Sequence, residues 1–178
     1  MRARARLPRF RRRRRRSGVI LGLSAVALLA LAASLTPAYL LVWNATASAP
    51  VGLYRRVGGP VTRGDWVLAW LPAGARELAA ERNYLPHNVP VVKRAAGLGG
   101  DTICADGETV FLDGTPIATR LLADKEGRPM PSWEGCKLLQ SGEFFLLNAD
   151  APASFDGRYF GAMGHHQIIG RLVPVWIK

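Results

Sequence analysis

Two residue types are scarce where a metal site would need them. Cysteine occurs twice and histidine three times in 178 residues. Cys104 and Cys136 lack a Cys-x-x-Cys spacing, and no nearby His or Cys completes a zinc set, so no metal or other cofactor is expected. His165 and His166 are adjacent, so in a strand they would point to opposite faces, and they are read as surface residues. Acids are missing from residues 1–16, which carry ten Arg, and residues 17–54 contain no charged residue. The formal net charge of +11 suggests a nucleic-acid binder until it is located. With those ten Arg set aside, fourteen Lys and Arg face thirteen Asp and Glu, leaving +1. The basicity belongs to a tail, which argues against specific nucleic-acid binding by the rest.

The uncharged stretch is dominated by Leu, Ala and Val up to Trp43. About 20 apolar residues suffice to cross a bilayer as a helix, the conformation that satisfies its own backbone in lipid. Pro37 kinks the segment or marks its exit. Arginine is retained on the cytoplasmic side. The expected organisation is therefore a cytoplasmic Arg-rich tail (1–17), a transmembrane helix (18–43) and a periplasmic β-rich domain (44–178), anchored in a bacterial inner membrane by a single pass. A cleaved signal peptide is the competing reading, and Ala45-Thr46-Ala47 has the small-x-small character of a cleavage site. Secretory apolar regions run about 7–15 residues, however, and this one is longer. A twin-Arg export signal meets the same objection. In an oxidising compartment two thiols more often pair than stay free, so a Cys104–Cys136 disulfide is expected, the alternative being two buried small hydrophobes.

Beyond residue 50 the pattern is strand-like with frequent turn residues. Strands are expected over 51–57, 66–70, 90–96, 143–148 and 167–177, and a short helix over 74–83. Residues 108–117 read as a hairpin, with Asp113-Gly114 suited to a type I′ turn. Residues 119–137 read as a polar, irregular excursion tied down by Cys136. There is no internal repeat, and the fold class is mainly β.

Three places depart from a bland β domain. Ser48 lies among small residues in Asn44-Ala-Thr46-Ala-Ser48-Ala-Pro-Val-Gly-Leu-Tyr54, just after the expected membrane exit. Lys93 interrupts an apolar strand. Ser154-Phe-Asp156-Gly-Arg158-Tyr-Phe-Gly161 combines polar and aromatic groups. A serine hydroxyl needs a base to become a nucleophile, and a lysine serves only when neutral. Val91, Lys93 and Ala95 share one strand face, an apolar setting that lowers a lysine pKa. Arg94 stays protonated and cannot act as the base; on the opposite face it needs a carboxylate or backbone partner. Taken singly, these features are also what a loop serine, a snorkelling edge lysine and a turn with a surface ion pair look like. Composition and periodicity alone leave an exported β domain of open function.

In combination they resemble a known family. Val-Val-Lys93-Arg94-Ala-Ala-Gly97-Leu-Gly99-Gly-Asp101 resembles the lysine box of the type I signal peptidases (peptidase family S26), and Ser154-Phe-Asp156-Gly157-Arg158 their later Ser-x-Asp-Ser-Arg box. Ser48-Ala-Pro-Val-Gly-Leu-Tyr54 is similar to the Ser-x-Pro-x-Gly-Leu-Tyr segment of the conjugative-transfer branch, the TraF type. The three boxes stand in the family's order. Gly99 replaces the Pro of the lysine box, Ala49 replaces the Met that usually follows the nucleophile, and Gly157 replaces the second Ser of Asp-Ser-Arg. Asn148-Ala-Asp-Ala-Pro stands where Gly-Asp-Asn-Arg usually opens the last box.

The resemblance implies a signal-peptidase-like β-barrel or sheet domain that works as a membrane-anchored serine endopeptidase with a Ser/Lys dyad. Ser48 would be the nucleophile and Lys93 the general base. Ser154 would orient the Lys93 amine, and Asp156 would pair with Arg158. The Ser48 N–H and the Thr46 hydroxyl would form an oxyanion hole. The implied partners are the membrane, an exported precursor of pilin type, and other conjugation or secretion components. The acyl-enzyme could be resolved by water or by the substrate's own amino terminus, giving a cyclic pilin; both remain open. The rival reading is a non-catalytic inner-membrane component of a transfer or secretion apparatus.

Overall fold

The computed structural model describes residues 22–27, which are helical, and residues 40–178. Among the described residues no helix is long and apolar enough to cross a membrane. The expected span 18–43 lies mostly outside them. Its C-terminal limit needs correction, because Leu41–Asn44 forms strand β1, paired antiparallel with β2 (Gly52–Val57). The chain has therefore entered a sheet by Leu41. In a continuous apolar run, periodicity cannot separate the last turn of a helix from the first residues of a strand.

From there the domain is mainly β, as expected. A seven-stranded antiparallel sheet runs in the order β1-β2-β11-β3-β4-β9-β10. It uses β3 (Trp66–Ala69), β4 (Val91–Leu98), β9 (Glu143–Leu147), β10 (Met163–Gly164) and β11 (Ile168–Ile177). A second, four-stranded sheet has the order β7-β6-β5-β8, from β5 (Thr102–Asp106), β6 (Thr109–Leu112), β7 (Thr115–Thr119) and β8 (Gly135–Leu138). The β6–β7 connection is the expected hairpin. Asp113 and Gly114 have φ of 49° and 77°, the two positive values a type I′ turn requires. Helix α1 (Ala73–Glu81) stops just before Asn83, which adopts a left-handed φ of 57°.

The large sheet is apolar on both faces at its centre. Val67, Leu68 and Ala69 are all buried, and the consecutive Val67 and Leu68 belong to different core clusters. On β4, Lys93 stands opposite Val67, and Ala95 opposite Leu146. Val67, Ala95 and Leu146 belong to a single cluster, so the lysine emerges on an apolar face.

The excursion expected over 119–137 is shorter than that. Gly135–Leu138 is strand β8, and Cys136 lies opposite Cys104 of β5, to which it is disulfide-bonded. β8 is exposed along its whole length, so it carries no apolar alternation that would mark it in the sequence.

Candidate active site

Ser48 sits in the tight connection between β1 and β2, and two side chains hold that connection in place. Asn44, at the end of β1, is buried. Its Nδ2 donates to the carbonyls of Thr46, Ala49 and Pro50 at 2.9, 3.0 and 3.1 Å. The Tyr54 hydroxyl donates to the Pro50 carbonyl at 2.7 Å. Gly52 passes so close beneath β11 that a Cβ would lie 2.1 Å from the Trp176 carbonyl oxygen. The Pro, Gly and Tyr that follow Ser48 in the sequence thus each fix the loop carrying it.

Lys93 reaches the same place from β4. Thr46, Ser48, Lys93 and Ser154 line one cavity of about 580 Å³. Only 3% of Lys93 is exposed, and its Nζ donates to Ser154 Oγ at 2.6 Å. Burial in this apolar wall is the largest influence on the amine. It outweighs the attraction of Asp156, which Arg158 opposes, and lowers the Lys93 pKa to about 8. A substantial fraction of the amine is therefore neutral near physiological pH.

Behind Ser154, helix α2 (Gly157–Phe160) begins at Asp156, whose carboxylate accepts from the Arg158 N–H. Asp156 and Arg158 also form an ion pair at 2.8 Å with 0% and 1% of their side chains exposed. Gly157, where the family box has Ser, is also tightly placed: a Cβ would meet the Leu146 carbonyl oxygen at 2.7 Å. Glycine is what lets this turn press against β9.

The geometry brings together six of the residues singled out in the sequence. Thr46, Ser48, Lys93 and Ser154 face the cavity, with Asp156 and Arg158 directly behind Ser154. Thr46 Oγ1 lies 3.2 Å from Ser48 Oγ, but its proton is donated to Asn44 Oδ1 at 3.1 Å. Donation to an oxyanion would require that hydroxyl to turn away from Asn44. Arg94 on the opposite face finds a backbone partner, the Gly64 carbonyl at 2.8 Å, and lies 4.1 Å over the Trp66 ring. The Cys104–Cys136 bond belongs to the second sheet and does not line the cavity. His165 and His166 are exposed. Among the described residues no group of three or more His, Cys, Asp or Glu is placed to hold a metal.

Two residues that sequence reasoning did not single out are Asn44 and Asn148, both buried amides. Each closes an apolar strand with one polar side chain, which is the signal that could have marked them. Asn148 follows β9 and hydrogen-bonds to both the Ser48 and the Lys93 segments.

A β domain in which a loop serine and a buried lysine line one cavity has the makings of a serine peptidase. The chain belongs to the signal peptidase family, peptidase S26, whose family model matches residues 13–177. It is 34% identical over 167 residues to a plasmid transfer protein TraF of Escherichia coli, covering 88% of this chain and 93% of the relative. A probable conjugal transfer protein TraF of Sinorhizobium fredii is 31% identical over 173 residues, 89% of each chain. A signal peptidase I from Enterococcus faecalis V583 superimposes with a TM-score of 0.38 at 21% identity, covering 66% of this chain and 99% of its own.

The lowered pKa has a consequence for stability. The folded protein holds the Lys93 proton less tightly than the unfolded chain, so the charge penalises folding fully below pH 8, and the penalty fades as pH rises towards the unfolded value of 10.5. Lys93→Met is expected to raise the unfolding free energy at pH 7, with the gain over wild type shrinking between pH 8 and 10.5. Denaturant titrations at several pH values measure this.

Proposed function

We propose that the protein is a membrane-anchored serine endopeptidase that cuts an exported precursor close to the bilayer, with Ser48 as nucleophile and Lys93 as general base. The observation that carries this reading is the Lys93 amine, buried, hydrogen-bonded to Ser154 and lining the same cavity as Ser48. In the proposed reaction Ser48 Oγ adds to the scissile carbonyl while its proton passes to Lys93 Nζ. The C–N bond then breaks, and the departing amine takes that proton, leaving an ester on Ser48. A water or a substrate amine gives its proton to Lys93 and attacks the ester. The Ser48–acyl bond breaks, and the proton returns to Ser48. The Ser48 N–H, with Thr46 after rotation of its hydroxyl, would donate to the oxyanion.

The substrate proposed is a pilin-type precursor, in keeping with the names of the TraF relatives. Anchoring by the uncharged run that precedes β1, from residue 18 to residue 40, is supported by its sequence. It is also supported by exposed apolar side chains around β1 and the end of β11. Leu40, Leu41, Trp43, Trp176 and Ile177 are exposed there, and the rings of Trp43 and Trp176 stack at 5.8 Å. Tryptophan is favoured at the membrane–water interface.

With a co-expressed pilin precursor read by intact mass, wild type is expected to convert it, whereas Ser48→Ala, Lys93→Ala and Lys93→Arg should lose about 10³-fold or more in rate. A product lighter by one water than the trimmed chain identifies cyclisation; the trimmed mass identifies hydrolysis. Because the neutral amine is the active form, kcat/KM is expected to rise with pH to a plateau, with its midpoint near 8. Variants that process as well as wild type would favour the non-catalytic component. For the topology, alkaline phosphatase fused after Lys178 is expected to be active, and to lose activity when residues 1–40, which precede β1, are deleted. An inactive fusion on the full chain would place the domain in the cytoplasm.

A further inference from the structure

The Ser48 loop and the Lys93 strand are separated by 45 positions of sequence and belong to different parts of the sheet, yet one side chain hydrogen-bonds to both. Asn148, 4% exposed, follows β9. Its Nδ2 donates to the carbonyl of Ser48 itself, and also to the carbonyl of Val92, the residue before Lys93, at 3.2 Å. Its Oδ1 accepts the Arg94 N–H, on the other side of Lys93, at 3.0 Å. The amide orientation is dictated by these partners. Reversed, it would set an oxygen against two carbonyls and an NH₂ against an N–H.

The Asn148 backbone is held as firmly. Its N–H donates to Asp156 Oδ2 at 3.1 Å, and its carbonyl accepts from Arg158 Nη2 at 2.9 Å. The buried ion pair thereby fixes the residue whose side chain spans the two reacting segments.

We propose that Asn148 is a positioning residue, which sets the separation of nucleophile and base by donating from one NH₂ group to the Ser48 and Val92 carbonyls. The inference rests on the Ser48/Lys93 reading above. The amide touches the backbone of the Ser48 and Lys93 segments and takes no part in bond making or proton transfer. Its effect is thus expected in kcat and not in substrate binding. Two replacements separate positioning from packing. Asn148→Ala removes both donations. Asn148→Asp keeps the shape and the acceptor facing Arg94, but sets an oxygen against the two carbonyls. If Asn148 only filled space, the isosteric Asp would be the milder change; if it positions, Asp is at least as damaging to turnover as Ala.

The test is steady-state processing of the precursor by the full-length protein, well below each variant's unfolding midpoint, with Ser48→Ala assayed alongside. Both Asn148 variants are expected to lose at least tenfold in kcat, with KM within about twofold, and in Asn148→Ala the pH midpoint is unmoved. Folded Asn148→Ala with kcat within twofold of wild type overturns the proposal, as does Asp being clearly milder than Ala. Retained processing by Ser48→Ala would sink the Ser/Lys reading itself, which is a separate outcome. Should the variants not fold, the wild type decides. Asn148 side-chain amide protons protected from exchange support the strut, and protons exchanging as fast as those of the exposed Asn83 and Asn88 overturn it.

Discussion

Arg158 is the largest side chain among those almost wholly withdrawn from water, at 1% exposed. A guanidinium cannot shed its proton to escape that environment, so its charge and its donors must all be met inside. Asp156 meets the charge at 2.8 Å, and the carbonyls of Thr119, Asn148 and Pro152 accept from the remaining nitrogens. Breaking such a pair by removing one partner typically costs about 3–5 kcal/mol. The ends of the segment from Asn148 to Arg158 are thereby tied together, and Ser154 within it lines the cavity.

The electrostatics of Lys93 follow from the same pair. Asp156 draws the amine towards its charged form, and Arg158, bound to it, opposes that attraction. Burial on the apolar face of Val67, Ala95 and Leu146 is the larger influence and decides the outcome. The ion pair thus has two effects on the site. It sets the geometry through Asn148 and Ser154, and its arginine opposes the pull of Asp156 on the lysine proton.

Much of this was legible in the sequence, for physical reasons. Lys93 showed itself because a cation in a run such as Val-Val-Lys-Arg-Ala-Ala is unusual for an apolar strand face. The Asp113-Gly114 turn showed itself because few residue pairs accept two positive φ angles. The family resemblance of the three boxes gave the grouping of Ser48, Lys93, Ser154, Asp156 and Arg158, which local patterns do not supply. Other features were hidden. β1 continues an uncharged apolar run, so nothing in the sequence marks where helix-like composition becomes strand. β8 is exposed on both faces and carries no alternation. Asn44 and Asn148 are single amides whose partners lie on distant segments, up to 100 positions away for Asn148 and Ser48. Long-range hydrogen bonds of that kind leave no periodic trace.

The central proposal is that burial keeps the Lys93 amine partly neutral near physiological pH, in the cavity that Ser48 also lines. It is tested most directly by the titration of Lys93 itself. In protein carrying ¹³C-labelled lysine, the Lys93 side-chain resonance can be assigned by its loss in Lys93→Met and followed from pH 6 to 11. A midpoint near 8 is the expected result. A midpoint at the ordinary lysine value of 10.5 would mean that the amine is charged at working pH, and the account of the site would fail.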